Sequence, residues 1–100
     1  MLCMIVDFCN RGTEDVFNGV DSKAANKACP KSLWRTACRK LDQLDTVANI
    51  DELRAPPGNR LELLRGDRKG QYSIRINDQY RVCFFWTDTG PSAVEIIDYH

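Results

Sequence analysis

The sequence closes on Val94-Glu95-Ile96-Ile97-Asp98-Tyr99-His100, and His100 is its only histidine. Imidazole is the side chain that gains and loses a proton near neutral pH, with an unperturbed pKa of about 6.5. A last residue is usually a poor structural element, because chain ends fray. It is, however, a reachable proton donor. The terminal carboxylate and Asp98 are close neighbours in sequence, and both favour the protonated imidazolium. That biases His100 toward the general-acid role. The second chemical signal is charge. Fourteen Lys and Arg balance fourteen Asp and Glu, so the chain is neutral. Yet residues 54–81 hold seven basic side chains (Arg54, Arg60, Arg65, Arg68, Lys69, Arg75, Arg81) against three acids (Glu62, Asp67, Asp78). A neutral protein can therefore present one cationic face. The same charges also suit solvated sheet edges and loops.

The elements that position these groups must come from a short chain. One hundred residues, 43% of them hydrophobic, predict one globular domain spanning residues 1–100. The opening MLCMIVDF is apolar but brief, and Asp7 interrupts it. It is expected to be neither a signal peptide nor a membrane span. Five cysteines (Cys3, Cys9, Cys29, Cys38, Cys83) include no C-x-x-C pair. That pattern predicts neither a disulfide framework nor a zinc site, and it fits the reducing cytoplasm.

Residues from about Cys3 to Phe8 read as a strand. RGTEDVFNG reads as a short helix, with Thr13 as candidate N-cap and Gly19 as its end. DSKAANKAC reads as a second helical piece capped by Ser22. Periodicity is clearest over Ser32–Val47. There Leu33, Trp34, Ala37, Cys38, Leu41 and Leu44 share one helical face, while Arg35, Arg39, Lys40 and Asp42 take the outer one. After Gly58 the period becomes two. RLELLR, QYSIRIN, QYRVCFFW and AVEIIDYH are four strand candidates, joined by GDRKG, ND and TDTGPS. Short connections imply antiparallel neighbours. The expected architecture is an α+β two-layer domain, helices on one sheet face, with Arg75 and Arg81 on the other.

The stretch PPGNRLELLRGDRKGQYSIRINDQYRVCFFW, the terminal DYH and the early RGTEDVFNG resemble the HigB toxins, or plasmid-maintenance killer proteins, of the RelE/ParE superfamily. The resemblance covers nearly the whole chain. It implies the RelE/ParE-like fold: an N-terminal strand and helices packed on a C-terminal antiparallel sheet. It also implies the toxin of a type II toxin–antitoxin pair, an mRNA interferase that cuts messages in the ribosomal A site. The implied partners are the ribosome, its mRNA and a helix-turn-helix, HigA-like antitoxin, with no cofactor and no membrane. By the resemblance, Asp98, Tyr99 and His100 match the family's terminal triad, Arg81 its strand arginine, and Arg65 the basic residue before the GDR loop. Where some members place histidine, this chain has Glu62.

Metal-free RNA cleavage needs a base for the ribose 2′-OH, cations for the phosphorane oxygens, and an acid for the departing 5′ oxygen. Arg81 and Arg65 suit the cationic role because a guanidinium grips two phosphate oxygens at once. Glu62 is a candidate base, or a structural partner of Arg60 or Arg75 across the sheet. Tyr99 can stack on a base. Arg60, Arg68, Lys69 and Arg75 are candidate RNA contacts, Arg68 as an exposed loop charge. Two other readings use the same fold: a ParE-like poison of DNA gyrase, and a decayed toxin that only binds its antitoxin. Expression of the chain alone should slow growth, and co-expression of the protein encoded next to it should restore growth. Harmless expression of folded protein would contradict the toxin reading.

Overall fold

The computed structural model describes residues 4–99; residues 1–3 and His100 lie outside the described residues. The first helix, α1 (Arg11–Asn18), starts where Asn10 accepts a bond from the Thr13 N–H at 2.8 Å. Asn10, not Thr13, is thus the N-cap. Thr13 instead ties the helix to the sheet, its buried hydroxyl accepting the Ile96 N–H at 3.0 Å. Gly19 ends α1 in the left-handed conformation. The second helix, α2 (Lys23–Ala28), has Ser22 as its cap. A 3-10 turn over Lys31–Leu33 leads into α3 (Trp34–Thr46).

The apolar stripe of α3 faces inward as its spacing predicts. Leu41 and Leu44 are wholly buried in one cluster with Val16, Ile74, Val82 and Ile96. Each such leucine contributes about 1.5–3 kcal/mol of hydrophobic stabilisation. Trp34 sits half-buried at the edge of that core, its Nε1–H donating to the Cys29 carbonyl at 2.9 Å.

Lys40 departs from its expected place on the outer face. It is buried, and its ammonium donates to the Asn59 side-chain oxygen Oδ1. Asn59 is wholly buried too, and its Nδ2 donates to Gln43 Oε1 and the Leu53 carbonyl. Burial, then the nearby Arg39 and Arg75 charges, push the Lys40 pKa down. The segment that brings Asn59 there is a 3-10 turn over Ile50–Arg54 followed by another over Pro57–Asn59. Asn49 and Glu52 form a reciprocal capping box for the first of these.

The sheet is an antiparallel meander in the order β1 (Glu62–Leu63), β2 (Tyr72–Arg75), β3 (Tyr80–Thr87), β4 (Gly90–Asp98). The expected TDTGPS loop is shorter than its composition suggests, because β4 already begins at Gly90. The first strand shrinks to a pair of residues at the sheet edge. A register shift in β4 lies between the Cys83↔Glu95 and Phe85↔Ser92 pairs, with Ala93 at a φ of 49°. That irregularity explains a second departure. The described part of the N-terminal segment runs beside β4 as extended chain with a single parallel bridge, Phe8 to Val94, and is not a strand. Pro91 has no N–H to offer. Ala93 sends its N–H to the Asp7 carboxylate at 2.6 Å. A regular ladder cannot run along such an edge. No helix among the described residues is long and apolar enough to cross a membrane.

The Lys40–Asn59 pair makes a stability prediction. Asn59→Ala leaves a buried ammonium without its acceptor and should cost about 3 kcal/mol in urea unfolding. The double change Asn59→Leu with Lys40→Met should recover most of that loss, since removing both partners leaves no stranded charge.

Candidate active site

Antiparallel register places side chains before any chemistry is considered. The Asn77 side chain accepts from the Gln79 and Tyr80 N–H groups and closes the turn between β2 and β3. That turn sets Arg75 opposite Arg81 and Ser73 opposite Cys83. Partners across a sheet share a face. One row on the open face is therefore Glu62, Ser73, Cys83 and Glu95; the next is Arg75, Arg81 and Ile97.

Arg81 is the centre of this face, and it is 9% exposed. Its Nε donates to Ser73 Oγ at 2.7 Å, and its Nη2 donates to the Arg60 carbonyl at 2.6 Å. A longer bond joins Nη2 to the Ser73 carbonyl at 3.4 Å. Glu62 Oε1 lies 3.9 Å from the same nitrogen. No described residue accepts from Nη1. No wholly buried side-chain nitrogen or oxygen among the described residues lacks a partner. Nη1 must then reach solvent. The guanidinium is held through Nε and Nη2, and the two N–H donors of Nη1 are left unengaged among the described residues.

Tyr99 covers Arg81 from one side, its ring centroid 5.6 Å from the guanidinium carbon. The ring is 45% exposed, so a cation–π contact of about 0.5–1 kcal/mol is the appropriate scale. Its main chain is held by the Gln79 carbonyl at 2.7 Å. Asp98 lies elsewhere. It pairs with Tyr80 in register, on the row opposite to Arg81, and its carboxylate accepts from Gln79 Nε2 at 2.9 Å. His100 lies outside the described residues.

Several side chains have partners that the sequence did not indicate. Glu62 approaches Arg81 rather than Arg60 or Arg75. Arg75 pairs with Asp78. That pairing offsets the repulsion of placing two arginines directly opposite each other. Arg68 is not an exposed loop charge. It is half-buried, bonded to Glu95 and to Gln71, each at 3.2 Å. Arg60 is exposed, and it serves Arg81 through its carbonyl. Arg65 and Lys69 are exposed on the loop after β1. Ser73 and the Arg60 carbonyl are the contributors that sequence reading missed. Alternation already put Ser73 on the arginine face; only the register showed that it accepts from Arg81.

The chain is similar to known proteins along most of its length. The family model of the RelE-like toxin of type II toxin–antitoxin system HigB matches residues 6–100. Toxin HigB-1 of Vibrio cholerae serotype O1 is 40% identical over 85 residues, covering 85% of this chain and 86% of that protein. An uncharacterized protein of Haemophilus influenzae is 46% identical over 55 residues, covering 55% of this chain and 54% of its own length.

Cys83 lies wholly buried in the row beside Arg81. Burial, opposed by Arg68 and reinforced by Glu95, pushes its thiol from 9.0 up to about 11. Between those values the unfolded chain has lost the proton and the folded chain keeps it. Stability should therefore fall as pH rises from about 9 to 11. Cys83→Ala should make that fall shallower by up to about 2–3 kcal/mol in denaturant titrations at paired pH values. Equal slopes for both proteins would show that the folded thiol titrates normally.

Proposed function

This chain belongs to the RelE-like toxins of type II toxin–antitoxin systems, in the HigB family, and from that membership we propose that it is an endoribonuclease that cuts mRNA in the ribosomal A site. The observation that carries the reading is the Nη1 of Arg81, engaged by no described residue, on a guanidinium whose other nitrogens are already tied. A side chain buried to that degree loses no further rotamer entropy when it meets a phosphate. Preorganised donors of this kind stabilise charge that develops in a transition state.

In the proposed reaction the ribose 2′ oxygen attacks the adjacent phosphorus. A base takes the 2′-OH proton, and Glu62 is the described carboxylate that pairs with the Arg81 fork, 3.9 Å away. Negative charge grows on the non-bridging oxygens, which meet Arg81 and Arg65. The bond from phosphorus to the 5′ oxygen breaks, and His100 gives that oxygen its proton. The products are a 2′,3′-cyclic phosphate and a 5′-hydroxyl. Guanidinium groups carry the charge, so this route calls on no metal. Tyr99, standing over Arg81, supplies a π-face for a nucleobase. Asp98, bonded to Gln79, holds the end of β4 in this scheme. Ribosome and mRNA are the proposed targets, the cytoplasm the proposed location, and a HigA-like helix-turn-helix protein the proposed neutraliser.

Single-turnover cleavage of a defined mRNA on programmed ribosomes tests the scheme, with ribosome binding measured separately. Arg81→Ala should slow cleavage by about 10²–10³-fold. Arg81→Lys should recover part of the rate, because an ammonium cannot hold Ser73, the Arg60 carbonyl and a phosphate together. Loss of His100 should lower the rate more than the affinity. Full activity without His100 would move the general acid to another group, and gyrase-linked DNA breaks with intact mRNA would replace the reading altogether.

A further inference from the structure

We propose that Glu95 is a positioning residue for the proposed cleavage: through Arg68 it fixes the loop after β1, and with that loop Arg65. The proposal rests on the endoribonuclease reading, in which Arg65 is the second cation beside Arg81.

The need for such a tie follows from the strand that leads into the loop. β1 is a two-residue strand at the sheet edge, paired as Glu62↔Ser73 and Leu63↔Tyr72, and both of its residues are exposed. A ladder this short contributes little by itself. On its near side β1 is steadied by the bond from Arg81 Nη2 to the Arg60 carbonyl. On its far side the backbone bonds are local. The Leu64 N–H donates to the Gln71 carbonyl, the Lys69 N–H to the Gly66 carbonyl, and the Gln71 N–H to the Arg68 carbonyl. These bonds shape the loop; they do not tie it to β3 or β4. Leu64 is buried and helps to seat the loop. Apolar burial is non-directional, however, so it leaves the loop's orientation open.

Arg68 supplies the direction. Its Nη1 donates to Gln71 Oε1 within the loop and to Glu95 Oε1 on β4, each at 3.2 Å. Glu95 stands opposite Cys83, in the row that also holds Ser73 and Glu62. The Arg68 side chain therefore reaches over the open face to its last strand, in the row next to Arg81. The two side chains are 32% and 23% exposed, which shields the pair in part from water and salt. The Cys9 thiol adds a hydrogen bond to the same carboxylate from the N-terminal segment. Glu95 is thus a fixed acceptor, and a charge-assisted hydrogen bond to it sets an orientation.

A direct contact of Arg68 with RNA is the competing role, and it makes the opposite prediction. Glu95 would then compete with phosphate for Arg68, and its neutralisation would tighten binding without slowing the reaction.

The test is single-turnover cleavage of a defined mRNA on programmed ribosomes, with ribosome affinity measured in parallel. Glu95→Gln and Arg68→Gln should each slow cleavage by about 10–100-fold, the scale of a small misplacement of a charged group. Both should lower the rate more than the affinity. Arg68→Lys keeps the charge and should retain more of the rate than Arg68→Gln. In an Arg65→Ala background, Glu95→Gln should cost less than about twofold, because the loop no longer carries the cation that Glu95 serves to place. A merely structural role would give the same loss in both backgrounds. Amide exchange at Gly66 and Lys69, which needs no substrate, should quicken in Glu95→Gln while the melting temperature holds. Wild-type cleavage rates in Glu95→Gln overturn the proposal. So do tighter ribosome binding with no loss of rate, an undiminished loss in the Arg65→Ala background, or unchanged exchange at Gly66 and Lys69. Intact mRNA with the unaltered chain overturns the endoribonuclease reading and the proposal with it; cleavage by the unaltered chain separates the two.

Discussion

The hydrogen bonds behind Arg81 are the constraint on which the open face depends. They join three pieces of chain: β3, which carries the arginine; β2, through Ser73; and the turn before β1, through the Arg60 carbonyl. Arg60 holds a φ of 46°, unusual for a residue with a side chain. Such a conformation costs about 1–2 kcal/mol. A hydrogen bond from a charged donor contributes about 1.5–3 kcal/mol. The bond that aims the guanidinium therefore offsets the strain that turns the carbonyl toward it. Function and local conformation are stabilised by the same contact.

The two buried cations among the described residues show how differently burial can be used. Lys40 lies between α3 and the 3-10 turn ending at Asn59, its ammonium bonded to the Asn59 side chain. It has no route to a ligand through that contact, and burial lowers its affinity for a proton. Arg81 is just as buried, yet its Nη1 has no hydrogen-bond partner among the described residues. The planar fork makes this possible. A guanidinium divides its donors between two directions, whereas an ammonium directs all three from one point.

A second junction holds the layers in register. Thr13 of α1 accepts from Ile96 of β4, and Asp7 receives the Ala93 N–H. Both contacts fall at or just beyond the register shift in β4. The irregularity thus turns N–H groups of β4 out of the ladder and toward the N-terminal segment and helix. It also bounds the length of regular pairing between β4 and β3. The strand that carries Asp98 and leads into Tyr99 begins its final run only after this point, from Glu95 onward.

Much of this was legible in the sequence, because it depends on local pattern. The spacing of Leu41 and Leu44 fixed the buried side of α3. The period-two runs fixed four strand candidates and their antiparallel order. Ser22 and Gly19 marked helix ends by their own chemistry. What escaped reading depended on partners far away in the chain. Lys40 looks solvent-facing until Asn59 arrives from another segment. Arg68 looks like a loop charge until Glu95 stands 3.2 Å away. Glu62 finds Arg81, and Ser73 becomes its acceptor, only because the Asn77 turn sets the register of β2 against β3. Periodicity tells which face a side chain takes; which neighbour it meets there is decided by register and by the folding of distant segments onto one another.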